Sequence, residues 1–201
     1  MKNTFSKGFT LVELLIVITI LAALAAAVVV VLNPAELLAQ ARDAQRMADM
    51  TVTRDALLLL ISQVPATDFC AITATGCTTG HCTFAPTTAM QPFAPATCTV
   101  PSAANLRTTA GLGWVTANFA GMPGGAPIAI LPIDPVNNAT FFYAFRADAA
   151  RTFRLATRLE SVRHRAMMQN DGGPDSSCGA GTTWTTADCY YEVGTNMVVG
   201  F

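Results

Sequence analysis

The sequence predicts an α+β fold in which a long N-terminal α-helix packs on a small antiparallel β-sheet within a disulfide-bonded head. Three features of the 201-residue chain predict this fold. Residues 9–32 are almost entirely apolar, residues 33–64 continue with helical periodicity, and residues 140–159 alternate apolar and polar side chains as strands do. All six cysteines follow the helical segments, which indicates a head on the oxidising side of a membrane.

The composition is not that of an ordinary soluble protein. Charged residues make up 12% of the chain, against about 25% in a typical soluble domain, and the mean hydropathy is +0.42. The formal net charge of -1 provides no basic field for a nucleic-acid backbone, so we expect no nucleic-acid partner. A single head with one appendage accounts for a chain of this length.

Residues 9–32 are long and apolar enough to cross a bilayer. As a helix they reach about 36 Å, whereas the hydrocarbon core of a bilayer is about 30 Å thick. Glu13 is the only charged residue in this stretch. A carboxylate costs about 2.5 to 3.5 kcal/mol at the centre of a membrane helix, and less near its end. Insertion therefore tolerates Glu13, but its presence calls for a functional reason.

The junction KGFTLVELL, residues 7–15, resembles the class III signal of type IV prepilins and type II secretion pseudopilins. The resemblance implies that residues 1–8 are a leader, that a prepilin peptidase cuts between Gly8 and Phe9, and that the new N-terminus becomes methylated. It also implies that Glu13 acts in assembly. A buried carboxylate is far less costly when paired, so Glu13 and the Phe9 amine of a neighbouring subunit would set the register of a filament.

Two other interpretations of this segment are a cleaved secretory signal and an uncleaved signal anchor. Lys2 and Lys7 supply a positive region before the apolar run, and residues 22–27 supply small side chains for cleavage. The apolar run continues from there to Leu32, which disfavours cleavage at the alanines. An uncleaved anchor leaves Glu13 unexplained.

Residues 33–64 are predicted to be the amphipathic second half of the helix. Pro34 removes a backbone donor and clashes with the preceding turn, so we expect a kink near it. The predicted apolar face consists of Leu37, Leu38, Ala41, Ala44, Ala48, Val52, Leu57, Leu60, Ile61 and Val64. The charged residues expected largely off this face are Glu36, Arg42, Asp43, Arg46 and Asp49. Arg46 is three residues from both Asp43 and Asp49 and can pair with either.

Residues 65–201 are predicted to form the head, which begins where Pro65 ends the helix. An even number of cysteines predicts three disulfides, and the sequence leaves their pairing open. The cysteines are Cys70, Cys77, Cys82, Cys98, Cys178 and Cys189. The alternation in 140–146 and 152–159 predicts a β-hairpin, joined by a short strand at 190–193.

Part of the head, LPIDPVNNATFFYAFR followed later by NDGG and YEVGT, resembles the heads of major pseudopilins and related bacterial pilins. Pseudopilins usually have Trp after the Asp-Pro, where this chain has Val136. Pseudopilins of that kind bind calcium in a C-terminal loop, so Asn170, Asp171 and Asp175 are candidate oxygen ligands. An NDGG run is more typical of a turn, and we expect no other cofactor.

The resemblance implies a structural subunit: a prepilin processed after Gly8 and polymerised through its N-terminal helix into a type IV pilus or pilus-like filament. Its partners would be copies of itself, a prepilin peptidase, an assembly platform and, before assembly, the cytoplasmic membrane. The lysines of the leader predict that the leader lies inside and the head outside. After assembly the subunit would belong to a filament at the cell surface.

Two alternatives remain at the level of function. The first is a type II secretion pseudopilin that forms a periplasmic pseudopilus, and the second is a membrane-anchored, disulfide-bonded binding head that does not polymerise. An enzyme is not expected, because His81 and His164 are isolated in the sequence and no GxSxG or HExxH motif occurs.

Overall fold

The structure is a computed structural model, and it describes residues 8–66, 69, 79–87, 90–93, 97–173 and 189–195. The chain divides into two compact units, one ending at Leu38 and the other beginning at Ala39. We call the second unit the head unit. It includes the greater part of the second helix as well as the sheet.

Two helices make up the N-terminal part of the chain. Helix α1 spans Leu11–Leu32 and ends at Asn33, whose φ of 41° lies in the left-handed region typical of helix C-termini. Helix α2 spans Pro34–Gln63, with Pro34 at the first helical position, where the missing backbone donor costs nothing. The helical segment therefore breaks at Asn33, directly before the proline at which the sequence predicts a kink.

The head unit contains a five-stranded sheet with the order β2-β1-β3-β4-β5. The strands are β1 (Gly80–Cys82), β2 (Cys98–Thr99), β3 (Tyr143–Ala147), β4 (Phe153–Thr157) and β5 (Tyr191–Gly194). Strands β3, β4 and β5 pair antiparallel, as the alternation predicted, and β1 pairs antiparallel with β3.

The prediction of a wholly antiparallel sheet is wrong at one edge. Strands β1 and β2 are parallel, which makes the sheet mixed. The chain between Cys82 and Cys98 is long enough for the crossover that a parallel pair requires, whereas a tight hairpin would have forced antiparallel pairing. This crossover lies in the cysteine-rich part of the sequence, where no periodicity marks a strand.

One face of the sheet packs against α2, as the sequence predicts. Phe145 and Leu155 lie opposite each other in the β3–β4 register, and both are buried in the main core. The helical members of this core are Met50, Ala56, Leu57 and Leu60. Each large apolar side chain buried in this way contributes about 1.5 to 3 kcal/mol. These contacts fix α2 to the sheet within the head unit.

The opposite face of the sheet is buried as well. Phe142, Ala144, Ala156 and Tyr190 form a second apolar cluster there with Phe93 and Cys82. Cys82 and Cys98 form a disulfide with their Cα atoms 5.6 Å apart, closing the chain segment that contributes Phe93. The head is therefore layered, with α2 on one face of the sheet and a disulfide-closed segment on the other.

Candidate functional site

The junction before α1 is exposed and non-helical. Gly8 and Phe9 precede the helix, and Phe9 is 80% exposed. A Cβ atom built on Gly8 would meet nothing within 4 Å. The fold of the described residues therefore does not itself require glycine at this position, and the Gly8–Phe9 peptide bond lies outside the helical hydrogen-bond ladder.

Thr10 and Glu13 form a capping box at the start of α1. The Thr10 side chain accepts a hydrogen bond from the Glu13 backbone N–H at 3.2 Å, and the Glu13 carboxylate accepts one from the Thr10 backbone N–H at 3.2 Å. The Thr10 hydroxyl also donates to Glu13 Oε2 at 3.1 Å. These bonds satisfy two backbone donors that a helix N-terminus leaves without helical partners. They also hold the Glu13 carboxylate at the positive end of the helix dipole.

The described side chains of α1 are all exposed in the isolated chain. The exposed fraction is 83% for Leu11 and still 56% for Leu32, at the two ends of the helix. The segment Leu11–Val29 meets the length and composition of a membrane span. A helix that is apolar on every side requires lipid or other apolar helices around it, and this fits a single-pass membrane anchor.

The head unit contains a buried ion-pair cluster, which we call the Arg46 cluster. Its members are Arg42, Asp43, Arg46, Asp134 and Glu160. Arg46 binds Asp134 through two hydrogen bonds, Nε to Oδ2 at 2.7 Å and Nη2 to Oδ1 at 3.1 Å. Its Nη1 donates to Asp43 Oδ1 at 2.9 Å, and its guanidinium lies 4.7 Å from the centre of the Phe141 ring. The side chains of Arg46, Asp43 and Asp134 are fully buried.

The electrostatics of Arg46 follow from these partners. Burial disfavours the charged guanidinium, but the hydrogen bonds and charges of Asp134 and Asp43 outweigh burial and raise the pKa of Arg46. The arginine therefore stays charged in a site that excludes water. Each carboxylate also caps backbone, because Asp134 Oδ1 accepts the Val136 N–H and Asp43 accepts the Glu160 and Ser161 N–H groups.

At the edge of the cluster, Arg42 pairs with Glu160 at 2.5 Å. The hydrogen bond and charge of Arg42 hold the pKa of Glu160 below its usual range, although partial burial opposes the shift. Arg42 and Arg46 are four residues apart on α2, so both face the chain that leaves β4. The cluster joins α2, the loop before β3 and the loop after β4.

The predicted apolar face of α2 is wrong in its first half, because Ala41, Ala44, Ala48 and Val52 are exposed. The expected placement of Asp43 and Arg46 off the buried face is wrong as well. Both are fully buried, and Arg46 pairs with Asp43. Asp49 instead accepts a hydrogen bond from the Tyr143 hydroxyl at 2.7 Å, and burial raises the pKa of Asp49. The three-residue spacing of Asp43 and Arg46 was a signal of pairing, but nothing local in the sequence identifies Asp134 as the distant partner.

Three arginines, Arg146, Arg154 and Arg158, lie on the sheet face opposite α2, and all are buried. Arg146 and Arg154 are cross-strand neighbours, and burial together with the charge of Arg154 lowers the pKa of Arg146. Arg154 donates to the Pro92 carbonyl at 2.7 Å and lies 4.9 Å from the centre of the Phe93 ring. These arginines tie the disulfide-closed segment to the sheet, a role that the alternating pattern does not reveal.

The candidate calcium residues are engaged in turn structure where they are described. Asp171 accepts the Gly173 N–H at 2.9 Å and the Glu192 N–H at 2.6 Å, and burial raises the pKa of Asp171 above its usual value. Asn170 donates to the Ala166 carbonyl at 3.0 Å. Asp175 lies outside the described residues. Within the described part of the chain, no group of three or more His, Cys, Asp and Glu residues could hold a metal ion.

Three of the six cysteines fall in the described residues. Cys82 and Cys98 form the disulfide noted above, and Cys189 is disulfide-bonded too. The predicted disulfide residues Cys70, Cys77 and Cys178 lie outside the described residues.

The N-terminal segment matches a known family description. Residues 4–29 match the family described as "Prokaryotic N-terminal methylation motif", which is the prepilin-type signal of type IV pilins and pseudopilins. Searches of curated proteins and of solved structures found no match. The motif supports a type IV pilin-like or pseudopilin subunit, and it implies processing by a prepilin peptidase. The motif therefore points to a structural subunit.

Proposed function

We propose that the chain is the prepilin of a type IV pilus or pilus-like filament, cut between Gly8 and Phe9 and polymerised through α1. One observation carries the proposal: a prepilin-type signal leads into an apolar helix whose only charged side chain, Glu13, is held at the helix N-terminus. The lysines of the leader support an inside leader and an outside head before assembly.

The exposed junction supports cleavage at this position. The bond between Gly8 and Phe9 precedes the first helical residue, so a peptidase reaches it without unwinding α1. Because a Cβ atom at position 8 would meet no atom of the described residues within 4 Å, replacing Gly8 by Ala should leave the fold intact. A processing defect in that variant would then report on recognition by the peptidase.

Cleavage changes the electrostatics of the helix end. It creates an α-amine on Phe9, and an unperturbed α-amine with a pKa near 8 is mostly charged at pH 7. The capping box already places the Glu13 carboxylate at this end of α1. In an apolar filament core the amine of one subunit and Glu13 of another would compensate each other, whereas a displaced subunit would leave both charges buried and unpaired.

Replacement of Glu13 by Ala tests polymerisation through this pair. We expect the variant to be membrane-inserted but to yield no filaments when cells are sheared, whereas Thr19→Ala on the same helix should assemble normally. Wild-type levels of filaments from Glu13→Ala would contradict the proposed role. If the protein is instead a non-polymerising display protein, neither the wild type nor Glu13→Ala would yield filaments. Both would reach the membrane equally well.

A second candidate is a type II secretion pseudopilin. It is favoured by the similarity of LPIDPVNNATFFYAFR, YEVGT and the NDGG run to pseudopilin heads. A pseudopilin at native levels should give no sheared filaments, and its deletion should block release of a secreted enzyme. A pilus subunit should give filaments and leave that secretion unchanged.

A further inference from the structure

We infer that a cleft beside β5, at one edge of the sheet, binds a neutral saccharide of one or two sugar rings. We call it the β5 cleft. It lies within the head unit, where α2, residues 166–171 and β5 line it, and its volume is about 600 Å³. Small-molecule sites in proteins typically have volumes of about 300 to 1,000 Å³, so the β5 cleft has room for such a ligand. The inference goes beyond the proposed function and does not depend on polymerisation.

Polar groups from three separate elements converge on the β5 cleft. Arg54 comes from α2, Asp171 follows a short 3-10 helix, and Tyr191 is the first residue of β5. Burial and the charge of Asp171 raise the pKa of Tyr191, whereas the charge of Arg54 opposes this shift. The three side chains thus act on one another across the same cleft, which places them within reach of one ligand.

These groups have hydrogen-bonding capacity that the described part of the chain does not use. The Tyr191 hydroxyl has no hydrogen-bond partner among the described residues. The same holds for Nη1 of Arg54, whose Nε and Nη2 both donate to Asp55. Asp171 accepts one backbone N–H on each carboxylate oxygen, at 2.9 and 2.6 Å, and each oxygen keeps a second lone pair. The β5 cleft therefore offers a ligand both donors and acceptors.

The environment of Asp171 indicates more than a turn. A turn accounts for its two bonds to backbone N–H groups, but its carboxylate is also partly buried and forms no ion pair with any described residue. Burial raises the pKa of Asp171 above its usual value. Carboxylates that are buried without a compensating cation are costly, and in a cleft they are typical of functional sites.

The lining of the β5 cleft favours a neutral ligand with several hydroxyl groups. Asp171 repels an anion, and the guanidinium of Arg54 repels a cation. A hydroxyl group both donates and accepts, so a sugar can donate to the carboxylate, accept from the guanidinium and form either bond with the Tyr191 hydroxyl. Met167, which is 46% exposed, and Val193 provide an apolar wall for the C–H face of a sugar ring.

Saturation-transfer NMR of the full, unprocessed chain tests the inference. The chain is held in micelles of a polyoxyethylene detergent, because a glycoside detergent would compete for the cleft. EDTA is present so that no divalent cation can bridge the ligand to Asp171. The neutral probes are maltose, cellobiose and lactose, and the charged probe is deacetylated chitobiose, which has the cellobiose skeleton with two amino groups. We expect saturable transfer to at least one neutral disaccharide.

Two variants and a matched control localise the binding. Tyr191→Phe keeps the ring and removes the hydroxyl, so it should weaken binding about three- to tenfold, as the loss of one hydrogen bond predicts. Arg54→Gln should weaken it at least as much, because hydrogen bonds from charged groups are stronger. Tyr190→Phe should bind like the wild type, because the Tyr190 hydroxyl donates to the Met90 carbonyl at 2.8 Å and the Tyr190 ring lies in the cluster on the opposite face of the sheet.

The folding of the variants is checked by urea unfolding. The Tyr191 hydroxyl has no partner to lose among the described residues, so Tyr191→Phe should keep the wild-type urea midpoint. A loss of binding in this variant would then report on the ligand and not on the stability of the head.

The absence of saturation transfer to all three neutral disaccharides would overturn the inference. So would binding that both Tyr191→Phe and Arg54→Gln leave unchanged. Binding of deacetylated chitobiose alone would overturn it too, because the β5 cleft would then be a cation site. None of these results bears on the proposed function, which depends on the processing and assembly of the Gly8 and Glu13 variants.

Discussion

Removal of the Arg46 side chain should destabilise the head more than removal of any exposed arginine on α2. In Arg46→Ala, Asp43 and Asp134 lose the cation that compensates them, and both are fully buried. Breaking a buried ion pair by removing one partner typically costs about 3 to 5 kcal/mol. Each carboxylate still accepts two backbone N–H groups, so we expect the lower end of this range, about 3 kcal/mol.

Urea unfolding of the full chain in nonionic detergent measures this loss through tryptophan fluorescence, because Trp114 is buried in the head core. The matched control is Arg54→Ala, on the same helix, because Arg54 forms an exposed pair with Asp55 and should contribute less than about 0.5 kcal/mol. Arg46→Lys should lie between the two, since lysine keeps the charge but not the bidentate geometry. A loss in Arg46→Ala no larger than in Arg54→Ala would refute the reasoning.

Three further predictions concern the disulfide, the rim of the Arg46 cluster and the start of α1. Replacing Cys82 and Cys98 together by Ser should lower the free energy of unfolding by about 3 kcal/mol, because the disulfide joins residues 16 apart and so restricts the unfolded chain by about that amount. A urea midpoint equal to that of the wild type would contradict this prediction. The depressed pKa of Glu160 contributes stability that is present above the unfolded pKa and is lost as the pH falls through the folded value. The thermal unfolding temperature of Glu160→Gln should therefore depend less on pH than that of the wild type between about pH 5 and pH 3. The same pH dependence in both proteins would argue against the pair between Arg42 and Glu160. Thr10→Ala should destabilise the first turn of α1 by about 1 kcal/mol, which would be measured as faster amide exchange of that turn in micelles. Thr10→Ser should keep the cap, so identical amide exchange in the two variants would exclude the capping box.

Features with a local cause could be predicted from the sequence. The apolar helix follows from an unbroken run of apolar residues, and the β3–β4 hairpin follows from alternation in which Phe145 and Leu155 face the same way. The core face of α2 was predicted correctly only in its second half, at Leu57 and Leu60, whose spacing is close to one helical turn. In each case a single element and its periodicity determine the outcome.

Features that depend on distant partners could not be predicted in this way. Arg46 is buried because Asp134, 88 residues away, binds it in the folded head. The arginine face of the sheet is buried because a disulfide-closed segment covers it, and the parallel pairing of β1 and β2 belongs to the same segment. A charged side chain in an amphipathic pattern is normally assigned to solvent, and only tertiary contacts reverse that assignment.

The candidate site at the N-terminus was predictable in position but not in detail. The sequence placed Glu13 in an apolar run after Gly8, and the structure adds that Thr10 holds the carboxylate through a reciprocal cap. The cap could have been predicted from the sequence, since threonine followed three residues later by glutamate is a signature of a helix N-terminus.

The N-terminus of the chain isolated from the membrane and filament fractions of producing cells tests the central claim most directly. Mass spectrometry should find a chain that begins at Phe9 and carries one methyl group on its α-amine, and deletion of the prepilin peptidase should restore residues 1–8. A chain that begins at Met1 in both fractions of peptidase-positive cells, or one that begins after the alanines at 22–27, would contradict the claim.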